Sequence, residues 1–189
     1  CMGEHGIRAL LPELGRIDLA VVGEPTGMQA AAGERGLVVL DCTAHGRSGH
    51  AARGEGVNAL YIALDDIVRL RTLRFERCSE LLGPVGIAVT QIEAGTQHNV
   101  IPDRCRFVVD VRTTDAYTNE ETVELLRREL RSEAVPRSTR VRASALAAEH
   151  PLCRAARTAG CTTFVSPTTS DMALMPFPSL KMGPGDSAR

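Results

Sequence analysis

The alternation of apolar and polar positions divides the chain into short strand-like and helix-like runs. Residues 7 to 14 read as a helical start. The run Ile17-Asp18-Leu19-Ala20-Val21-Val22 ends at Gly23-Glu24-Pro25-Thr26 and reads as a buried strand of a parallel sheet, followed by a turn. A strand is predicted over 37–44. A helix over 58–73 opens on Asn58, a good N-cap, with Leu60, Ala63, Leu64, Ile67 and Val68 at helical spacing. Strands follow at 84–92 and 104–113. The second of these alternates, with Cys105, Phe107, Val109 and Val111 on one face and Arg106, Val108, Asp110 and Arg112 on the other. Thr118 and Glu121 form a capping box for a helix over 119–132, whose inner face carries Val123, Leu126 and Leu130. A strand at 139–145, a short helix near 151–159 and a strand at 178–182 complete the prediction.

Between residues 37 and 145 the order is β-α-β-β-α-β, the ferredoxin-like arrangement of two helices on one face of an antiparallel sheet. The expected fold is therefore α/β in three segments, 1–36, 37–145 and 146–189, with the middle one a unit of its own.

Composition narrows the function. The chain has 189 residues, is 43% hydrophobic and 24% charged, and carries a formal net charge of −1. It is long enough for a sizeable core. It offers no excess charge for nucleic acid or an anionic membrane. Lys181 is the only lysine, and six arginines between Arg127 and Arg142 read as a solvated helix face. No apolar run approaches the ~20 residues needed to span a bilayer, and the opening residues do not read as a signal peptide. The six cysteines, at 1, 42, 78, 105, 153 and 161, are scattered without a Cys-x-x-Cys pair. They read as buried or incidental thiols in a reducing compartment, so a cytoplasmic protein is expected. Met172, Met175 and Met182 read as core filler, and His5, His45 and His150 as surface or turn residues.

Four positions carry candidate chemistry. His50 lies in the glycine-rich stretch Gly49-His50-Ala51-Ala52-Arg53-Gly54-Glu55-Gly56, where the backbone can approach a ligand and an imidazole can donate to a developing negative charge. Glu24 would stand at the carboxyl end of a strand, where open α/β sheets bind ligands. Asn99 offers donor and acceptor, and Arg112 a planar fork suited to a carboxylate. Each residue taken alone equally suits a solvated loop, a turn or a surface charge.

The ordered set is more specific. Val-Val-Gly-Glu-Pro-Thr (21–26), Ser-Gly-His-Ala-Ala (48–52), His-Asn-Val-Ile-Pro-Asp (98–103), Asp-Val-Arg (110–112), Thr-Ser-Asp (169–171) and Lys-Met-Gly-Pro-Gly-Asp (181–186) together resemble the metal-dependent aminoacylase and deacetylase (M20) peptidase family. The likeness is greatest to the acetylornithine deacetylase branch.

The resemblance implies a ferredoxin-like lid, or dimerisation domain, inserted between two pieces of a zinc-hydrolase α/β catalytic domain. It implies two zinc ions with Glu24 as a ligand of one, and His50 as an oxyanion donor reaching the neighbouring subunit of a homodimer. Asn99 and Arg112 would hold the polar end and carboxylate of a small N-acyl amino acid, with His98 a further candidate. Gly183 and Gly185 belong to a loop closing on substrate, and Asp171 to a site-supporting position. No nucleic acid and no membrane are implied. The activity implied is removal of an acyl group from a substrate such as N-acetylornithine, in arginine biosynthesis. The family's His-x-Asp, bridging Asp, Glu-Glu pair and final histidine are absent, so an internal fragment of a longer enzyme, inactive alone, is expected. A desuccinylase or dipeptidase of the same family, and a non-catalytic dimerising module, are the alternatives.

Overall fold

A computed structural model of the chain describes residues 6–186. The elements are α1 (Ile7–Leu10), continued by a 3-10 turn at Leu11–Glu13, then β1 (Ala20–Val22), β2 (Ala30–Glu34), β3 (Gly36–His45) and β4 (Gly49–His50). Next come α2 (Ala59–Thr72), β5 (Gly86–Ala94), β6 (Val100–Ile101), β7 (Arg104–Thr113), α3 (Asn119–Glu129) and β8 (Glu133–Pro136). The last are β9 (Ser144–Ala145), α4 (Pro151–Thr158), β10 (Thr163–Ser166) and β11 (Ser179–Lys181). The chain is thus a mixed α/β fold.

Two sheets carry it. The larger elements β5, β7, β3 and β8 pair antiparallel in that spatial order. Alternation in β3 and β7 places Val38, Leu40, Cys42 and Ala44 beside Cys105, Phe107, Val109 and Val111 on one buried face. Both α2 and α3 cover that face, through Ala59, Ala63 and Leu70 and through Val123 and Leu126. Burying each large apolar side chain of this layer contributes about 1.5–3 kcal/mol. Thr118 and Glu121 cap α3 reciprocally as expected, by hydrogen bonds of 3.0 and 2.8 Å.

The second sheet has the order β1-β11-β2-β10, with β9 also on β2. β1 runs parallel to β11 and β10 parallel to β2, while β11 and β9 run antiparallel to β2. α4 packs on it through Cys153 and Ala156.

Several expectations need correction. The strand closing the four-stranded sheet is Glu133–Pro136, not 139–145; Ser144 and Ala145 pair instead with β2 in the other sheet. The helix at 119 stops at Glu129, because Leu130 is already extended. Leu64 and Val68 are 44% and 57% exposed, whereas Ala59, Ala63, Asp66 and Leu70 are buried and Leu60, Ile62 and Ile67 pack partly buried against the core. Val21 is 60% exposed while Val22, on the opposite face of β1, is buried, so this strand is covered on one face only among the described residues and not on both. The six arginines are solvated as expected, but only Arg127 and Arg128 stand on a helix. β2 was legible only as a turn; Ala30, Ala31, Ala32, Gly33 and Glu34 have weak strand propensity, and their complete burial between β11 and β10 decides the matter. His5 and Cys1 lie outside the described residues.

Candidate functional site

Glu24 follows β1 by two residues, at its carboxyl end. Its loop is bound to the 183–186 loop by the backbone: Glu24 N–H donates to Met182 O at 3.4 Å, Thr26 N–H and Met28 N–H to Gly183 O at 3.1 and 2.9 Å, and Gly27 N–H to Gly185 O at 2.6 Å. Gly183 N–H returns a bond to Thr26 Oγ1 at 3.1 Å. Gly183 is needed for this approach, since a Cβ there would stand 2.6 Å from the Glu24 carbonyl oxygen. The structure therefore brings Glu24, Gly183 and Gly185 together.

His50 and Asn99 form a second group. β4 pairs with β6 in register His50 to Val100, and Ala51 N–H donates to Asn99 O at 3.0 Å. Gly56 takes φ +97°, and its absent Cβ leaves room for Arg47 O. The imidazole Nδ1 accepts from Ala52 N–H at 3.2 Å. In the neutral ring that bond leaves the proton on Nε2, so the exposed edge of the ring is a donor. His98 is exposed in the same connection.

Arg112 is not with them. β7 pairs Arg104 with His45 at the end nearest His50, and Arg112 with Leu37 at the other. At about 3.3 Å per residue the strand separates these ends by roughly 25 Å. Arg112 Nε and Nη2 bind Asp110 Oδ1 and Oδ2 at 2.7 and 3.2 Å on the outer face of the sheet.

Asp171 opens a 3-10 turn, Asp171–Leu174, capped by Ser170 Oγ, which accepts from Met172 N–H at 3.3 Å. Asp171 Oδ1 is buried without a hydrogen-bond partner among the described residues. Beside it lies a network that the sequence reading missed. Lys181 Nζ meets Glu34 Oε2 at 3.0 Å and Thr168 O at 2.8 Å, and Ser170 Oγ and N–H bind the same carboxylate at 2.8 and 3.1 Å. The only signal was a single lysine inside an apolar strand.

Among the described residues no three His, Cys, Asp or Glu side chains gather where they could hold a metal ion. The donors among the described residues do not fit a two-zinc centre, and Glu24 is in no cluster of three such groups. No described helix is long and apolar enough to cross a membrane.

Against known proteins, the peptidase dimerisation domain of the M20 family matches residues 32–138. A succinyl-diaminopimelate desuccinylase of Paracoccus denitrificans is 34% identical over 150 residues, covering 74% of this chain and 39% of that enzyme. An acetylornithine deacetylase of Myxococcus xanthus is 32% identical over 120 residues, covering 60% of this chain and 32% of that enzyme. The chain thus spans well under half the length of these curated relatives. Among solved structures, a tripeptidase of Staphylococcus aureus superposes with a TM-score of 0.72 at 18% identity, over 94% of this chain and 52% of that one. A dinuclear metal-binding M20 peptidase of Bacillus subtilis gives 0.65 at 17% identity, over 93% and 51%.

Proposed function

The chain belongs to the M20 peptidase family and carries its dimerisation domain, and from that premise we propose that it acts as part of a metal-dependent hydrolase cleaving the amide of an N-acyl amino acid. Residues 37–145 would be the lid, and 1–36 and 146–189 parts of the catalytic domain. The observation that carries this reading is the hydrogen bond that His50 Nδ1 accepts from Ala52 N–H at 3.2 Å. With Nδ1 engaged by Ala52 N–H, Nε2–H is a fixed donor, which is what a tetrahedral oxyanion requires.

The roughly 25 Å between the two ends of β7 supports a site shared by two copies. His50 and Asn99 would serve the partner's substrate, while Arg112 takes a substrate carboxylate. Glu24 is offered as one metal ligand. A homodimer is supported by the dimerisation-domain match and by Tyr61, Leu64 and Val68, exposed at helical spacing on α2.

For the acyl group, the Paracoccus relative favours the desuccinylase alternative over acetylornithine. The test uses the intact protein that carries these residues, assayed on N-succinyl-diaminopimelate and N-acetylornithine. His50→Ala should lower kcat on the accepted substrate by about 10²-fold with unchanged metal content. Unchanged turnover removes the oxyanion role, and an intact protein that cleaves neither substrate supports the non-catalytic module. The 189-residue chain by itself is expected to be inactive.

A further inference from the structure

We infer that Arg35 is a second guanidinium of the carboxylate subsite proposed for Arg112, an assignment that rests on that reading of Arg112. Arg35 is the single residue between β2 and β3, at the seam between the two sheets. Its Nη2 donates to Leu82 O at 2.7 Å. A methyl group placed on Gly86 would stand 3.2 Å from Arg35 Nη1 and 3.4 Å from Arg112 Cβ. The two arginines therefore flank one bare Cα on the outer face of the sheet.

Their charges are treated differently. Asp110 occupies the Nε and Nη2 edge of Arg112, which leaves the Nη1 side of the fork open. Arg35 is part-buried and meets no carboxylate within ion-pair distance among the described residues; Leu82 O is a neutral acceptor. A half-buried cation without a counter-charge is held at a cost that a bound anion offsets. Asp110, Arg112 and Arg35 together leave one positive charge in excess, the complement of one carboxylate. Two guanidinia on one carboxylate give charge-assisted bonds from both sides. Gly86 supplies the space, since any side chain there would push against both arginines.

The test titrates the 189-residue chain with N-acetyl-L-alanine and, separately, with its carboxamide, N-acetyl-L-alaninamide. The arginine Nε–Hε signals are followed by NMR. The carboxylate should move the signals of both Arg35 and Arg112. Arg35→Gln and Gly86→Ala should each weaken the carboxylate probe about tenfold and leave the carboxamide probe unchanged, with Arg35→Lys recovering part of the loss. Arg35→Gln without effect, while Arg112→Gln abolishes binding, overturns the role of Arg35 and leaves that of Arg112. Equal losses for carboxylate and carboxamide, with a lowered Tm, mean that Arg35 only secures the Leu82 loop, and overturn it too. A wild-type chain blind to the carboxylate overturns both readings.

Discussion

Lys181 and Glu34 form a buried ion pair, Nζ to Oε2 at 3.0 Å, with side chains 2% and 0% exposed. The pair ties β11 to β2 and, through Ser170 and Thr168, secures the loop that leads to Asp171. Lys181→Met should cost about 3–5 kcal/mol, because it leaves a buried carboxylate uncompensated. Adding Glu34→Gln should restore most of that loss, since an amide oxygen still accepts from Ser170. Urea unfolding of the single and double variants measures both; a mild single variant would mean the pair is solvated in solution.

Burial pushes the Cys42 thiol up to about 12 from 9.0, with the nearby Asp66 and Asp41 charges adding to the effect. A raised folded-state value means the folded chain holds this proton more tightly than the unfolded one. The contribution is complete below pH 9 and is lost as pH rises from 9 towards 12. Unfolding by urea at pH 8 and pH 10.5 should show a fall in stability that Cys42→Ala reduces. Cys78, exposed, should react with a thiol reagent well before Cys42.

Gly183→Ala brings a Cβ to 2.6 Å from the Glu24 carbonyl. The neighbour is backbone and cannot swing aside, so the two loops must part. A loss of about 1–3 kcal/mol is expected, seen as a lower Tm. An unchanged Tm would mean that the loops are not joined this way in solution.

Leu64 is 44% exposed on the outer stripe of α2, between Tyr61 and Val68. Leu64→Glu should convert a dimer to a monomer in sedimentation with little change in Tm, since the side chain is outside the core. A wild-type monomer at high concentration would leave His50 no partner site to reach.

The four-stranded sheet was legible because β3 and β7 alternate cleanly, and a half-buried strand can do so in one register only. The capping box at Thr118 and Glu121 and the N-cap at Asn58 were legible because they are local bonds between near neighbours. The outer face of α2 was not. Leu64 and Val68 are as apolar as Ala63, and nothing in their spacing says which side meets the sheet. The strand expected at 139–145 is divided between the sheets: Val141 makes an isolated bridge to Leu37 of β3, while Ser144 and Ala145 pair with β2.

What the amino-acid order determined by itself is the run of elements, their caps, and the residue types able to donate, accept or ligate, because these depend on side chains a few positions apart. Tertiary structure alone decided which of them meet. It joined Glu24 to Gly183, set His50 beside the Asn99 loop, and placed Arg112 beside Arg35. It also buried the only lysine against Glu34. Those are pairings between residues distant in sequence, and their geometry exists only once both sheets have closed.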